Sequence, residues 1–321
     1  MSVIRESYVE QGVSKGVIDV VMHSWRNSTK TQYAPYIKMW LEYCEKNGLQ
    51  YQKPTVSQVA DFLESLHKRE KSYAQLCMAR SALASFTSFR DRVPLGKQPL
   101  IQRYMRGRFE LAPQFPKYPL IWDVSILLNY FRKLGDPNLL SMKVLGKKLA
   151  MLISILAGGH RCQTIHAINT LDITITAGQC NIPFYTSLKQ TRPGKHLKPM
   201  AFKVYTTEPA LCVVNNLTCY SRKTKKVRTD SALFLSYQKP HKGVTKDTIS
   251  RWSREMMSEA GINTDLYTTH SSRSAASSMA HQRGLPMREL CEACGWSREK
   301  TFAQHYNKEL VKTLNVVDFV L

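Results

Sequence analysis

Acidic residues and long apolar runs are both scarce in this 321-residue chain, and each shortage removes a class of function. The longest apolar run, Leu149 to Ala157, is broken by Ser154 and stops far short of the ~18 residues that span a bilayer, so no membrane segment is expected. The amino terminus offers no secretory signal, because Arg5, Glu6 and Glu10 interrupt the apolar stretch that one requires. An intracellular location is the expectation, nuclear in a eukaryotic cell and cytoplasmic otherwise, with the eight cysteines reduced. Asp and Glu number 24 against 46 Lys and Arg, a formal net charge of +22, which puts a polyanion first among candidate partners. Between Arg161 and Arg254 the acids are Asp172, Glu208, Asp230 and Asp247, too few and too scattered for a two-metal nuclease. Neither G-x-x-x-x-G-K-[ST] nor H-E-x-x-H occurs, so nucleotide hydrolysis and zinc-protease chemistry lack their frames. No cofactor and no metal are expected.

What remains is the composition of a globular protein, 43% hydrophobic and 22% charged, long enough for two domains. There is no internal repeat and no low-complexity segment. The basic excess is local: residues 1–96 carry +4, residues 97–250 carry +17 and residues 251–321 carry +1, so the middle of the chain is the expected footprint of a phosphate backbone. Apolar spacing predicts four helices in the first third: Ser28 to Asn47 closed by Gly48, one opening at Thr55 and running through Leu66, Tyr73 to Phe89, and Gln98 to Leu111. Three prolines within Ala112 to Pro119 forbid an interior helix or central strand, and this stretch reads as a linker between a helical domain at 1–111 and a second domain at 120–321. In the second domain, helices are expected at Asp123–Leu134, Ser141–Leu156, Glu208–Arg222, Lys246–Ala260, His270–Gln282, Pro286–Cys294 and Thr301–Tyr306. Strands are expected at Ile173–Thr176, Asn181–Tyr185 and Met200–Tyr205. The fold class is therefore mainly α with a small antiparallel β-sheet.

Chemistry concentrates late in the chain. His270 and Arg273 stand three apart, so on a helix they project from one face and can converge on one oxyanion. Downstream, Cys294-Gly-Trp-Ser-Arg-Glu-Lys-Thr-Phe-Ala-Gln-His-Tyr306 is a Gly-Trp turn followed by a short helix ending in tyrosine. Upstream, Ala157-Gly-Gly-His-Arg161 sets an arginine after an apolar helix, and Leu188-Lys-Gln-Thr-Arg-Pro-Gly-Lys195 is a turn between two predicted strands. Cys291 and Cys294 read either as a buried structural pair or as half of a zinc site whose other ligands are missing.

In this order, Arg161, Lys189, His270, Arg273, Trp296 and Tyr306 resemble the active-site series of the tyrosine recombinases, the phage-integrase family, from about Ala112 to Tyr306. The region before it is similar to that family's helical core-binding domain. The His-Ser-Ser-Arg form, the Leu-Lys-Gln-Thr-Arg-Pro-Gly turn and the Gly-Trp-Ser ending most resemble recombinases of DIRS, Ngaro or Crypton mobile elements. Three departures stand out. Cys162-Gln163-Thr164 replaces the acidic residue common two positions after the arginine, Trp296 stands where many members have histidine, and Tyr306 lies about one residue further from that position than is usual.

The resemblance implies a DNA strand transferase that forms a 3′-phosphotyrosine intermediate without ATP or metal, binds double-stranded DNA and works as a tetramer in recombination. It implies Tyr306 as nucleophile, with Arg161 and Arg273 offering forked donors to the non-bridging oxygens. His270 would donate to the same oxygens or take the tyrosine proton, and Lys189, with Lys195 its nearest rival, would protonate the leaving 5′-oxygen. Trp296 would donate its indole N–H or pack the site shut. Two other readings stay open: a domesticated DNA-binding protein without turnover, and a type IB topoisomerase. The apolar positions Leu310, Val311, Leu314, Val316, Val317, Phe319 and Leu321 would dock on a neighbouring protomer or pack on their own domain.

Overall fold

The structure, a computed structural model, describes residues 2–115 and 117–311. The chain divides into two compact units, Met1–Phe115 and Pro116–Leu321. Among the described residues, the first unit holds six α-helices, α1 (Ser2–Glu10), α2 (Lys15–His23), α3 (Asn27–Asn47), α4 (Val56–Lys68), α5 (Tyr73–Leu83) and α6 (Pro99–Leu111), with a short 3-10 turn at Leu95–Lys97 before the last. Local signals set most of the boundaries. Thr55 with Gln58, and Ser72 with Gln75, form reciprocal capping boxes at the starts of α4 and α5, and Gly48, at φ 62°, ends α3 in the left-handed conformation. The core is one apolar cluster in which Trp40, Phe62, Leu63, Leu66, Leu83 and Ile101 meet.

Two features depart from the sequence expectation. The helices α1 and α2 were not expected; each is nine residues long, with no side-chain bond capping α2, and they hold by burying Val3, Ile4, Ile18 and Met22. The helix expected to reach Phe89 stops at Leu83, because the hydroxyls of Ser85 and Thr87 bond the carbonyls of Ala82 and Leu83 and offer the backbone a turn instead.

The second unit begins with β1 (Leu120–Ile121) and α7 (Val124–Lys133), then α8 (Met142–Leu156) and the short α9 (Cys162–His166). A three-stranded antiparallel sheet follows, β2 (Thr174–Ile175), β3 (Gln179–Ile182) and β4 (Met200–Lys203), with Cys180 opposite Phe202. Then come α10 (Val213–Thr224), α11 (Lys246–Glu259), α12 (Ser271–Gln282), α13 (Met287–Cys294), α14 (Glu299–His305) and β5 (Glu309–Leu310). The mainly helical fold with its small antiparallel sheet is the expected class. The middle strand runs earlier than expected, ending at Ile182 because Pro183 has no N–H for the ladder. The helix expected from Glu208 starts at Val213, since turn bonds from Leu211 and Cys212 to the Glu208 carbonyl precede it. β5 was not foreseen; it pairs in parallel with β1, and the Val311 N–H continues the pairing to the Ile121 carbonyl at 2.7 Å. Of the apolar positions near the end, Leu314 to Leu321 lie outside the described residues.

Helix α8 is the axis of this unit, buried at every position from Leu145 to Ile155. Two lysines are caught in it. Lys147 pairs with Glu255 and Glu259 of α11. Lys148 is fully buried, donates to the Gly135 carbonyl at 3.5 Å, and has its amine pushed down to about 8 by burial, against a smaller opposing pull from Asp136. A depressed lysine withholds stability below its folded value and releases it as the pH rises toward ~10.4. Lys148→Met should therefore stabilise the protein by about 1–3 kcal/mol at pH 7. Urea midpoints should show that advantage shrinking between pH 8 and pH 10; an advantage that does not change with pH would assign it to packing alone.

Candidate active site

The site begins where α8 stops. Gly158 and Gly159 take positive φ angles of 92° and 79°, and a Cβ on Gly159 would fall 2.5 Å from the Arg273 Cα, so α12 crosses the end of α8 at backbone contact. The Ser154 hydroxyl donates to the His160 carbonyl, and the Ser154 carbonyl accepts from the Gly159 and His160 N–H groups, which fixes this corner. Arg161 follows at the N-cap of α9, half-buried, in the wall of a cleft of about 220 Å³ shared with His160, His270 and Arg273.

Arg273 is the most enclosed charge of the site, at 1% exposure. Its Nη1 donates to the Gly159 carbonyl at 3.0 Å and its Nη2 to the Cys294 carbonyl at 2.6 Å. The guanidinium carbon lies 4.6 Å from the Trp296 ring centroid and 5.3 Å from that of Tyr306, at cation–π distance of both. Its Nε has no partner, and neither has the buried Nε1 of Trp296. Trp296 and Tyr306 are themselves in contact, with ring centroids 4.7 Å apart, and His270 meets the Tyr306 ring edge-on at 6.1 Å. The short α14 delivers Tyr306 by burying Phe302 against Trp296 in a small cluster with Leu290 and Cys294.

The predicted turn also comes to this place. Lys189 is exposed on it, and its charge, with those of Arg161 and Arg273, acts on His270. Lys195 instead donates to the Trp296 carbonyl at 3.5 Å. Thus five of the six sequence-derived residues, Arg161, His270, Arg273, Trp296 and Tyr306, are linked by contacts or a shared cleft, and Lys189 joins them through its field. Cys291 and Cys294 lie in the cluster beneath them, where the Cys294 thiol donates to the Gly158 carbonyl at 3.1 Å and burial pushes it up to about 12. Among the described residues, no three His, Cys, Asp or Glu converge as metal ligands.

The basic stretch at 97–250 is not wholly free to meet an anion. Arg132 is paired with Glu208, Arg222 and Lys223 are bonded to Asn138, Arg228 holds the carbonyls of Ala232 and Leu233, and Lys147 and Lys148 are buried. Lys143, Arg192, Lys203, Lys239, Lys242 and Lys246 are exposed. Sequence counting overstates the footprint, because a lysine spent on a carbonyl and one facing water count alike.

The electrostatics have one sign. Crowding by the surrounding protein, then the positive fields of Arg161, Arg273 and Lys189, hold His270 below the ordinary histidine value, although part of the residue stays open to solvent. Burial, then Arg273 and Arg161, push His160 down to about 3, so it is neutral at any working pH. In a histidine titration followed by NMR, the His270 midpoint should lie below ~6.5. It should rise in Arg161→Gln, which deletes one of the positive fields; an unchanged midpoint there would show that Arg161 does not face the imidazole.

A family model, described as the phage integrase family, matches residues 141–312. No curated protein matches the sequence. Among solved structures, the chain is similar to the XerH site-specific recombinase bound to palindromic difH substrate, with a TM-score of 0.57 at 17% identity over 84% of this chain and 74% of that one. It is similar to the integrase of the transposon Tn1549 in complex with transposon right end DNA, with a TM-score of 0.56 at 13% identity over 99% and 97%. It is also similar to a lambda integrase dimer bound to a COC′ core site, with a TM-score of 0.52 at 14% identity over 97% and 95%. At such identities the likeness speaks for the fold, whereas the family model covers just over half of the chain and takes in the whole stretch from α8 to Tyr306: the chain belongs to the phage integrase family, the tyrosine recombinases.

Proposed function

We propose that this chain is a site-specific DNA recombinase or integrase that cleaves and rejoins duplex DNA through a 3′-phosphotyrosine intermediate. The observation that carries the reading is a tyrosine ring packed on Trp296 and Arg273 and touched by His270, with two buried N–H groups, Arg273 Nε and Trp296 Nε1, left without partners. A buried donor without an acceptor is costly, and a phosphate oxygen is a strong acceptor for both.

In the step we assign, the Tyr306 oxygen attacks the scissile phosphorus, a P–O bond to tyrosine forms and the P–O5′ bond breaks. Arg161 and Arg273 stabilise the charge that grows on the non-bridging oxygens. His270, kept neutral by its depressed basicity, accepts the phenol proton, and Lys189 gives a proton to the departing 5′-oxygen. The phosphodiester energy is held in the tyrosyl bond, so a second 5′-hydroxyl can reverse the step. The His-Ser-Ser-Arg form and the Gly-Trp-Ser ending support integration of a DIRS-, Ngaro- or Crypton-like mobile element as the setting, with four protomers on two sites, in the nucleus of a eukaryotic host.

A suicide substrate built from candidate element termini tests the reading. Wild type should accumulate a covalent adduct, and Tyr306→Phe should bind the same DNA equally well and form none. An adduct in the phenylalanine variant would move the nucleophile elsewhere; binding without an adduct in wild type would leave a DNA-binding protein without turnover.

The two lysines of the turn separate on a second substrate. Lys189→Ala should slow cleavage by about 10²–10⁴-fold with a normal 5′-oxygen, and most of that loss should vanish when the bridging atom is sulfur, whose thiolate leaves without a proton. Lys195→Ala should show a smaller defect that sulfur does not repair. Sulfur rescue of Lys195→Ala alone would exchange the two roles.

A further inference from the structure

The helix that carries His270 and Arg273 is rich in serine, and its hydroxyls divide into two kinds. Ser272 and Ser277 turn back on their own chain, donating to the Thr269 and Arg273 carbonyls. Ser278 does not. Fully buried, it sends its hydroxyl out of α12 to the Tyr306 carbonyl at 2.7 Å, and its oxygen accepts from the Lys308 N–H at 3.1 Å. One side chain thus grips the main chain on both sides of the residue after Tyr306.

The rest of that segment is tied down in the same direction. The Tyr306 N–H is held by the Phe302 carbonyl at 2.8 Å, closing α14. Beyond Ser278's grip, the Lys308 ammonium donates to the Tyr118 carbonyl at 2.7 Å and lies 4.2 Å from the centroid of its ring, and Glu309–Leu310 then pair with Leu120–Ile121. These later ties anchor the exit of the chain to another element. Ser278 is different, because it joins the backbone of Tyr306 directly to the helix that bears Arg273, five residues earlier.

We infer that Ser278 is a positioning residue for the nucleophile: by bonding Tyr306 and Lys308 to α12, it sets the distance from the Tyr306 hydroxyl to a phosphate held by Arg273 and His270. The inference rests on the proposed strand-transfer function. It follows from geometry that a nucleophile carried on a seven-residue helix has little rigidity of its own, whereas α12 is buried from Ser271 to Met279. Misplacing a reacting atom by about 1 Å can cost ~10²-fold in rate while leaving binding intact.

Single-turnover cleavage by Ser278→Ala tests this. At saturating DNA, its rate should fall roughly 10- to 100-fold, with DNA affinity within about twofold of wild type. A 5′-bridging sulfur should not restore it, because the defect lies in attack and not in departure. Ser278→Cys keeps the buried volume filled with a weaker donor and acceptor, so it should fold like wild type and show an intermediate loss. Wild-type rates in both variants would overturn the inference, as would a rate loss that tracks lost affinity or lost melting temperature, which would mark Ser278 as a general packing residue. Failure of wild type to form any adduct would instead refute the strand-transfer function, and the inference would fall with it.

Discussion

Everything at the site depends on how the Arg273 guanidinium is buried. A charge taken out of water must recover its solvation from the protein, and Arg273 does so without a carboxylate partner among the described residues: two carbonyls, from Gly159 and Cys294, and two ring faces, from Trp296 and Tyr306, surround it. Those four groups come from the end of α8, the end of α13 and both ends of the α14 segment. Satisfying one cation therefore brings the end of α8, more than a hundred residues earlier in the chain, together with α12 and the stretch from Cys294 to Tyr306. The same arrangement leaves Nε over, since carbonyls and rings take up the other sides of a planar group with five donors.

A second consequence is a site whose charges repel one another. Burial, and then Arg161, Arg273 and Lys189 acting with the same sign, make the His270 imidazole lose its proton more readily. Such mutual repulsion destabilises the folded chain when nothing anionic is present, and an anion seated among these groups would relieve it. His160 shows how the fold tolerates it. Burial, and then the positive fields of Arg273 and Arg161, keep it neutral.

Much of this was legible in the sequence because the signals were local. Capping residues and left-handed glycines marked α3, α4 and α13, and three- and four-residue apolar spacing marked α7, α8 and α11. The site residues were legible for another reason: their order and spacing formed a recognisable series although they are distant in the chain. What escaped was everything decided by packing between remote segments. Helices α1 and α2 exist through the core they cover, and the β1–β5 pair is two residues long and joins positions almost two hundred apart. Ser278 looked like one more small residue in a serine-rich helix, and Gly159 gave no hint that α12 would press against it. The basic excess at 97–250 was read as a footprint, yet several of its members, Arg222, Lys223 and Arg228 among them, are spent on neighbouring carbonyls and side chains.

The turn from Leu188 to Leu197 shows why position within a motif and physical role can diverge. Gly295 ends α13 at φ 68°, and a Cβ there would press Leu197 at 3.0 Å and Gln190 at 3.2 Å, so this glycine is both the helix terminator and the seat of the turn. Lys195, exposed like Lys189, donates to the Trp296 carbonyl at 3.5 Å and helps to fasten the turn to that seat. Lys189, on the other limb, stays exposed while its charge reaches His270. The two limbs thus differ in what each lysine meets: a main-chain carbonyl for Lys195, the imidazole of His270 through its field for Lys189. Gln190, next to Lys189, and Leu197, beyond Lys195, both lie against Gly295, so the two limbs share one seat, and that seat joins the lysine turn to the segment that ends in Tyr306.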